Sequence, residues 1–395
     1  MKRFFSYSIL SFFLLLLPTG QASANNNDSI RLSLLTCAPG EEIYSLFGHT
    51  AIRYENSSQG IDVVFNYGLF SFNTPNFIFR FSLGETDYQL GATDYERFAA
   101  EYAFFGRSVW QQTLNLTDEE KTELIRLLQE NYRPENRVYR YNFFYDNCAT
   151  RPRDKIEESI AGKVIYPAEP QDGSLTFRDI VHQYCKGHPW ARFGIDLCIG
   201  SEADQPITQR QMMFAPFYLM DAFDGAQIKG DSIQRPLITA NELIVDATPE
   251  PDESDWMPTP LQCSLLLFIL TAAATIYGIR RRTGLWGIDL FLFGIAGIVG
   301  CVLAFLALFS QHPAVSSNFL LLVFHPGQLL FLPYIIYCVR KGKKCWYLTL
   351  NLVVLTLFIV LFPVIPQRFD FAVVPLALVL LIRSASNLIV TSKKK

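Results

Sequence analysis

The sequence predicts an α+β domain outside the cytoplasm, followed by an all-α bundle of about five transmembrane helices. Three observations carry that expectation. Lys2 and Arg3, an apolar run over 9–17 and the small residues Ala22-Ser23-Ala24 form the pattern of a secretory signal. Five apolar stretches after residue 260 are each long enough to cross about 30 Å of hydrocarbon. The connections between them alternate between strongly basic and nearly uncharged.

Half of the 395 residues are hydrophobic and 18% are charged, an apolar balance for a wholly soluble protein. The net charge of −3 leaves no basic footprint for nucleic acid, and no Gly-rich phosphate loop or zinc-finger spacing is present. Neither nucleic acid nor a cofactor is therefore expected. Residues 1–24 are read as the signal peptide, with cleavage after Ala24; an uncleaved anchor is the alternative, and either leaves the next domain outside. That domain spans 25–245. Residues 246–260, rich in Pro and acid, lack the apolar side chains that offset ordering entropy and read as a linker. The transmembrane domain is 261–395.

The expected spans are 261–279, 285–309, 319–339, 345–361 and 371–390. Arg280-Arg281-Arg282, Arg340-Lys341 with Lys343-Lys344, and Lys393-Lys394-Lys395 follow the first, third and fifth. The other two connections hold Gln311-His312-Pro313, or Arg368 and Asp370. Basic connections remain cytoplasmic, so the first span runs from outside to inside, as an exported preceding domain requires. This predicts a multi-pass protein of the cytoplasmic (inner) membrane, its N-terminal domain facing the periplasm or cell exterior. Asp289 and Arg383 are the main ionisable residues inside the spans; ion transporters usually carry more, and deeper. The bundle is read as an anchor that also presents lipid.

Of eight cysteines, Cys263, Cys301, Cys338 and Cys345 lie in or beside the spans, where a small apolar residue is explanation enough. Cys37, Cys148, Cys185 and Cys198 face an oxidising space in which thiols tend to pair. A Cys185–Cys198 disulfide is the leading expectation, and Cys37 with Cys148 is another possible pair. His182 and His188 flank Cys185, but the spacing is not that of a standard zinc knuckle, and no metal is expected.

Two segments carry potential chemistry. Residues 46–54 and 61–68 are β-rich runs around the polar turn Glu55-Asn56-Ser57-Ser58-Gln59-Gly60, a hairpin pattern. A turn centred between Ser57 and Ser58 pairs His49 with Asn66 and Arg53 with Asp62 on one face, and Ile52 with Val63 and Thr50 with Phe65 on the other. A one-residue slip would separate His49 from Asn66. The second segment is a strand-like run over 138–145, then Asp146-Asn147-Cys148 and a helical pattern through Ile160. Asp146 or Asn147 as N-cap puts Cys148 in the first turn, where unsatisfied N–H groups favour a thiolate and stabilise an oxyanion. Thr150 as N-cap leaves Cys148 just ahead of the helix. A strand-borne His, a polar partner and a Cys opening a helix are the parts of a Cys-His nucleophilic site, with Asn66 orienting the imidazole.

At these residues the chain resembles a known family. Leu35-Thr36-Cys37 through Phe47-Gly48-His49-Thr50-Ala51-Ile52-Arg53, with Phe65-Asn66-Tyr67-Gly68 and the run from Tyr141-Asn142 to Asn147-Cys148-Ala149-Thr150, is similar to the extracytoplasmic domain of Lnb-type lipoprotein N-acyltransferases. The resemblance extends through Phe193-Gly194-Ile195-Asp196-Leu197 to the bundle, with His312-Pro313 and Asn318 in an outer loop. It implies a circularly permuted papain-like, NlpC-like fold, with Cys148 as nucleophile and His49 as base. It also implies transfer of a fatty acyl chain, from a membrane phospholipid or lipoprotein acyl donor, to the N-terminal cysteine amine of a diacylglyceryl lipoprotein substrate through a Cys thioester. Arg151 and Arg153 are candidate headgroup contacts or a salt-bridged pair, and His312 is a candidate lipid or lipoprotein contact. The aromatic stretches 70–81 and 212–223 are read as lipid access or as core. A peptidoglycan-directed Cys-His amidase and a non-enzymatic envelope assembly protein are the rivals.

Overall fold

Successive residues of the first strands point alternately into two apolar clusters, and this makes the sheet a partition between two layers. In β1 (Ile30–Cys37), Leu32 and Leu34 enter one cluster while Leu35 and Cys37 enter the other. Ile52 and Ala51 of β2 (His49–Asn56) divide likewise, as do Phe65 and Val64 of β3 (Ile61–Leu69). Each fully buried side chain of this size contributes about 1.5–3 kcal/mol relative to exposure. The computed structural model describes residues 29–70, 73, 75–167, 175–230, 234–247 and 257–392. The expected signal peptide and most of the expected linker lie outside the described residues.

Beyond β3 come α1 (Phe77–Leu83), β4 (Asp87–Asp94), α2 (Tyr95–Phe104), β5 (Val109–Leu114), α3 (Asp118–Tyr132), β6 (Val138–Arg140) and α4 (Thr150–Ser159). The short strands β7 (Lys163–Ile165), β8 (Gln227–Lys229) and β9 (Gln234–Pro236) form a separate antiparallel sheet. Helices α5 (Phe177–Tyr184), α6 (Pro189–Cys198) and α7 (Pro216–Asp224) precede β10 (Ile238–Val245). The large sheet is antiparallel, in the order β10-β5-β1-β2-β3-β4-β6. Helix α2 covers the face holding Leu35 and Val64, while α3, α4 and α7 cover the opposite face.

The C-terminal region is helical. Among the described residues, four helices are long and apolar enough to cross a membrane: α8 (Pro260–Arg281), α9 (Trp286–Phe309), a span over Trp346–Val364 containing α11 (Trp346–Leu361), and α12 (Val373–Ser392). The expected third span is not one helix. Phe319–Leu330 and Leu332–Lys341 (α10) are bent by 74° at their junction, so the bundle holds four spans, or five if the bent pair is counted as one. Pro326 and Pro333 interrupt this stretch because each removes a backbone donor. Asp289 and Arg383 pair with each other at 2.7 Å and 3.0 Å, and Arg383 also donates to Thr275. The two charges neutralise one another inside the bundle.

The connections expected outside the membrane are the ones that hold the N-terminal domain. The Ala314 carbonyl accepts the Gly200 N–H at 2.7 Å, and Asn318 donates to the Leu197 carbonyl at 2.7 Å. Arg368 pairs with Asp179 and Asp204, and Gln367 donates to the Ile199 carbonyl. Phe193 and Leu197 of α6 pack on the bundle core. Arg178 organises this seam from behind. It is fully buried, pairs with Asp196 and Asp204 at 2.6 Å and 2.8 Å, and donates to the carbonyls of Ile199 and Gly200. Arg178→Ala leaves the buried Asp196 carboxylate without its guanidinium and Asp204 with Arg368 alone, which costs about 3–5 kcal/mol. Thermal unfolding of the full chain in detergent should show that loss; a change below about 1 kcal/mol would contradict this role.

Candidate active site

The hairpin carries its polar residues on one face, in a register shifted from the expected one. Its loop is residues 57–60, and Ala51 lies opposite Asn66, Ile52 opposite Phe65 and Arg53 opposite Val64. The turn is centred one position later, between Ser58 and Gln59, because Asn56 still pairs, with Ile61, and its side chain accepts the Ser58 hydroxyl. Both partner assignments move by two residues, so each side chain keeps its face. His49 and Asn66 are diagonal neighbours, with His49 Nε2 3.1 Å from Asn66 Oδ1. Arg53 likewise reaches diagonally to Asp62, at 2.8 Å and 2.6 Å. With Asn66 Oδ1 accepting, Nε2 carries the imidazole proton and Nδ1 is left as the basic nitrogen.

Two glycines shape the strand ends around this histidine. Gly48, at φ +79°, precedes His49; a Cβ there would stand 2.5 Å from the Cys37 carbonyl oxygen. Gly68 adopts φ +92° where the β3–β4 register shifts between Asn66 and Leu69. Only glycine holds such a conformation without strain. The β2–β3 ladder ends at Ala51 and Asn66, and Cys148 occupies the opening: a methyl on Gly68 would meet the Cys148 Cβ at 3.5 Å. The backbone N–H of Thr50, next to His49, donates to the Cys148 sulfur.

The turn carrying Cys148 is capped by Asn147. Its Oδ1 accepts from the N–H groups of Ala149 at 2.8 Å and Thr150 at 3.0 Å, and its carbonyl accepts from Arg151. Thr150 Oγ1 accepts from the Asn147 N–H. Regular helix runs over Thr150–Ser159 with Ala149 at its N-cap, so Cys148 sits in the turn just ahead of the helix, the second of the two expected placements, and the Asn147 bonds hold that turn. The Asn147 amide also donates to the carbonyls of Phe143 and Phe214, which locks the turn to the core. The expected strand shortens to Val138–Arg140, and Asn142 bridges to Asp146 beyond it.

Electrostatically the pair rests neutral. Burial pushes the Cys148 thiol up to about 11, against the opposing pull of the Thr50 N–H and its own N–H. Burial likewise lowers His49 to about 4, with the Asn66 bond opposing and the positive charge of Arg107 reinforcing. The helix start therefore does not hold a standing thiolate; desolvation outweighs it. Both side chains keep some exposure, so a substrate can reach them. A neutral imidazole can act as a base, and a neutral thiol is a masked nucleophile. Because the folded pKa of His49 lies below its unfolded value, its contribution to stability is complete above pH 6.5 and is lost as pH falls toward about 4.

The remaining candidates go elsewhere. Arg151 pairs with Asp146 at 2.6 Å and 2.8 Å and lies 3.6 Å over the ring of Tyr139. Arg153 is buried against Asp154 and donates to the Arg210 carbonyl. Both are taken up by internal partners, the salt-bridged alternative. His312 accepts no role at the sulfur: its Nε2 lies 2.6 Å from the Phe81 carbonyl and joins the outer loop to α1. The expected Cys185–Cys198 disulfide is not formed. Both are free thiols, Cys185 buried in an apolar cluster at the end of α5 and Cys198 ending α6. Cys37 and Cys148 are also unbonded. His182 binds Asp196, whose carboxylate also accepts from Arg178, rather than a cysteine-containing cluster. The aromatic stretches divide: Ile78 is 81% and Phe79 58% exposed, whereas Met212, Phe214, Leu219 and Phe223 are core.

Sequence reasoning overlooked Arg107, which donates to the Ala38 carbonyl and lies over Tyr102 beside Cys37. Nothing in its local pattern marks it. Gly68 had a visible signal, a glycine inside a β-rich run.

The family model for the Lnb N-terminal periplasmic domain matches residues 20–182, and that for the Lnb transmembrane domain matches residues 252–395. No curated protein and no solved structure matches the chain. A neutral resting pair makes a pH prediction. Labelling of Cys148 by a neutral alkylating reagent, read by peptide mass spectrometry, should keep accelerating past pH 9.0 toward about 11. A plateau reached by about pH 7, the sign of a stable thiolate, would contradict it.

Proposed function

The chain belongs to the Lnb family as a multi-pass membrane protein with an N-terminal periplasmic domain, and we propose that it is a thiol-dependent lipoprotein N-acyltransferase of the inner membrane. The observation that carries the reading is the seating of Cys148 at a capped helix start, with the Thr50 N–H on its sulfur and the Asn66-oriented His49 on the adjoining residue. Family membership supports an acyl-transfer role in general terms; the acyl donor, the amine acceptor and the residue roles are our reading.

In the first half-reaction, His49 Nδ1 takes the thiol proton as the Cys148 sulfur attacks the carbonyl carbon of a lipid acyl ester. A C–S bond forms, and the carbonyl electron pair moves to oxygen, where the first-turn N–H groups receive the charge. Collapse breaks the C–O bond, and His49 returns its proton to the leaving alkoxide. The N-terminal amine of a diacylglyceryl lipoprotein then attacks the thioester, gives its proton to His49 and expels the sulfur, which is reprotonated. No cofactor or metal takes part in this scheme. A low His49 pKa keeps it unprotonated throughout the neutral range, so the acid limb of activity falls near pH 4 rather than 6.5.

The membrane face of the domain fits lipid substrates. Phe79 lies against Phe305 of α9, with ring centroids 5.9 Å apart, and α1 is bonded to the loop that follows α9 through the Leu83 and Phe81 carbonyls. From there a line of rings runs Phe81, Phe77, Phe70, Tyr88 and Tyr141, with successive centroids 4.1–6.1 Å apart. Tyr88 and Tyr141 both lie near enough to Cys148 that a thiolate there would oppose their ionisation. An acyl chain lying along this line stays in an apolar path from the outer leaflet to the sulfur. Holding both substrates in one leaflet also raises their effective concentration.

In cells dependent on this chain, Cys148→Ala should abolish N-terminal acylation of lipoproteins, a loss of about 10⁴-fold or more. Mass spectrometry of lipoprotein N-termini reads the outcome, and normal acylation by the variant would refute the proposal. Ile78→Asp with Phe79→Asp should raise KM for a long-chain lipid donor about tenfold through lost apolar contact. Turnover of a short-chain soluble ester should be unaffected; equal losses on both would contradict a lipid-access role for α1.

A further inference from the structure

One polar group beside Cys148 has no partner. The hydroxyl of Tyr139 is buried and makes no hydrogen bond among the described residues, and the residue is 6% exposed. A methyl built on Gly68 would stand 3.5 Å from the Cys148 Cβ and 3.9 Å from this hydroxyl, so both border the same opening in the sheet. The neighbouring Tyr67 is not in this position: its hydroxyl donates to Asn131 Oδ1 at 2.8 Å. An unsatisfied buried hydroxyl is costly, and its persistence calls for a functional account.

We infer that Tyr139 is a catalytic hydrogen-bond donor whose hydroxyl, with the Cys148 N–H, receives the oxyanion formed when the Cys148 sulfur attacks an acyl carbonyl. The inference rests on the acyl-transfer reading and adds a residue to it. Tyr139 lies in β6 opposite Tyr88, which fixes its backbone, and its ring meets Tyr67 edge-on at 6.3 Å. Arg151 covers the other side at 3.6 Å and is itself held by Asp146. A cation on the ring draws electron density from the phenol and strengthens its O–H as a donor. Burial holds the phenol well above its ordinary pKa, so it stays protonated through the working range. Arg151 thus acts as a positioning residue for Tyr139 rather than as a headgroup contact.

During attack, the forming C–S bond displaces the carbonyl π pair onto oxygen, and Tyr139 donates a hydrogen bond to that oxygen without transferring its proton. When the tetrahedral centre collapses, the C=O bond re-forms, the alcohol leaves with the proton held by His49, and Tyr139 is released unchanged. The same donor serves the second half-reaction, in which the thioester carbonyl is attacked by the amine.

The test is Tyr139→Phe, which removes the hydroxyl and keeps the ring and its stacking with Arg151. With the full chain in detergent and a palmitoyl p-nitrophenyl ester as probe, the single-turnover acylation rate should fall about 10²- to 10³-fold. The ester concentration for half-maximal rate should stay within about twofold, and alkylation of Cys148 by iodoacetamide should be unchanged. Acylation within about threefold of wild type overturns the inference, as does a parallel fall in alkylation, which would assign the hydroxyl to the fold or the thiol. If wild type itself forms no acyl-Cys148, the acyl-transfer reading fails with it; a normal wild-type burst with an unimpaired variant overturns Tyr139 alone.

Discussion

The ladder between β2 and β3 ends at Ala51 and Asn66, and the positive φ of Gly68 just beyond it is the constraint on which the site depends. Paired strands leave no room for a side chain between them, because their spacing is about 4.8 Å. β3 carries a one-residue irregularity against β4 between Asn66 and Leu69, and where its ladder with β2 ends, the turn before α4 brings Cys148 against Gly68. A Thr50 N–H beyond the ladder's end then has the sulfur as its acceptor. Any side chain at Gly68 would require a φ that L-residues rarely adopt. One backbone irregularity thus links strand geometry to the placement of Cys148.

That placement sets the electrostatics. Sulfur and imidazole are desolvated together, so the charged form of each is disfavoured and the pair rests neutral at pH 7. A resting thiol is protected from oxidation and from adventitious electrophiles, and in the proposed reaction a bound acyl group would let proton removal and attack proceed together. Asn66 and Arg107 act in opposite directions on His49, one favouring and one opposing its protonated form. Docking completes the arrangement. Arg178, Asp204 and Arg368 tie the domain to the outer loops of the bundle, so α1 and the opening beside Cys148 keep a defined relation to the outer leaflet.

Much of this was legible in the sequence, for stated physical reasons. Charge asymmetry and span length predicted the membrane topology, and the outer connections they implied are those that contact the domain. Side-chain alternation placed His49 with Asn66 and Arg53 with Asp62, although the turn centre was misplaced by one position. Alternation tolerates that error because a shift of two in partner number preserves the face. The third span was legible as apolar content but not as a bent pair, because hydropathy does not record continuity; Pro326 and Pro333 lie within an otherwise apolar stretch. Cys185 and Cys198 are near in sequence, yet a sheltered apolar site accounts for Cys185 without a bond. Tyr139 and Arg107 were invisible because their importance comes from contacts between distant strands and helices, which no local pattern encodes.

The central claim is that the Cys148 sulfur carries an acyl group between two lipids. Its most direct measurement is peptide mass spectrometry of the purified chain after incubation with vesicles of bacterial phospholipid and an N-terminally blocked diacylglyceryl lipopeptide as acyl donors, quenched in acid with no amine acceptor present. The account predicts a fatty acyl mass on the peptide containing Cys148, removed by neutral hydroxylamine and discharged when an N-terminally free diacylglyceryl peptide is added. An unmodified Cys148 under conditions in which acyl transfer proceeds, or an adduct that the amine does not discharge, would contradict it.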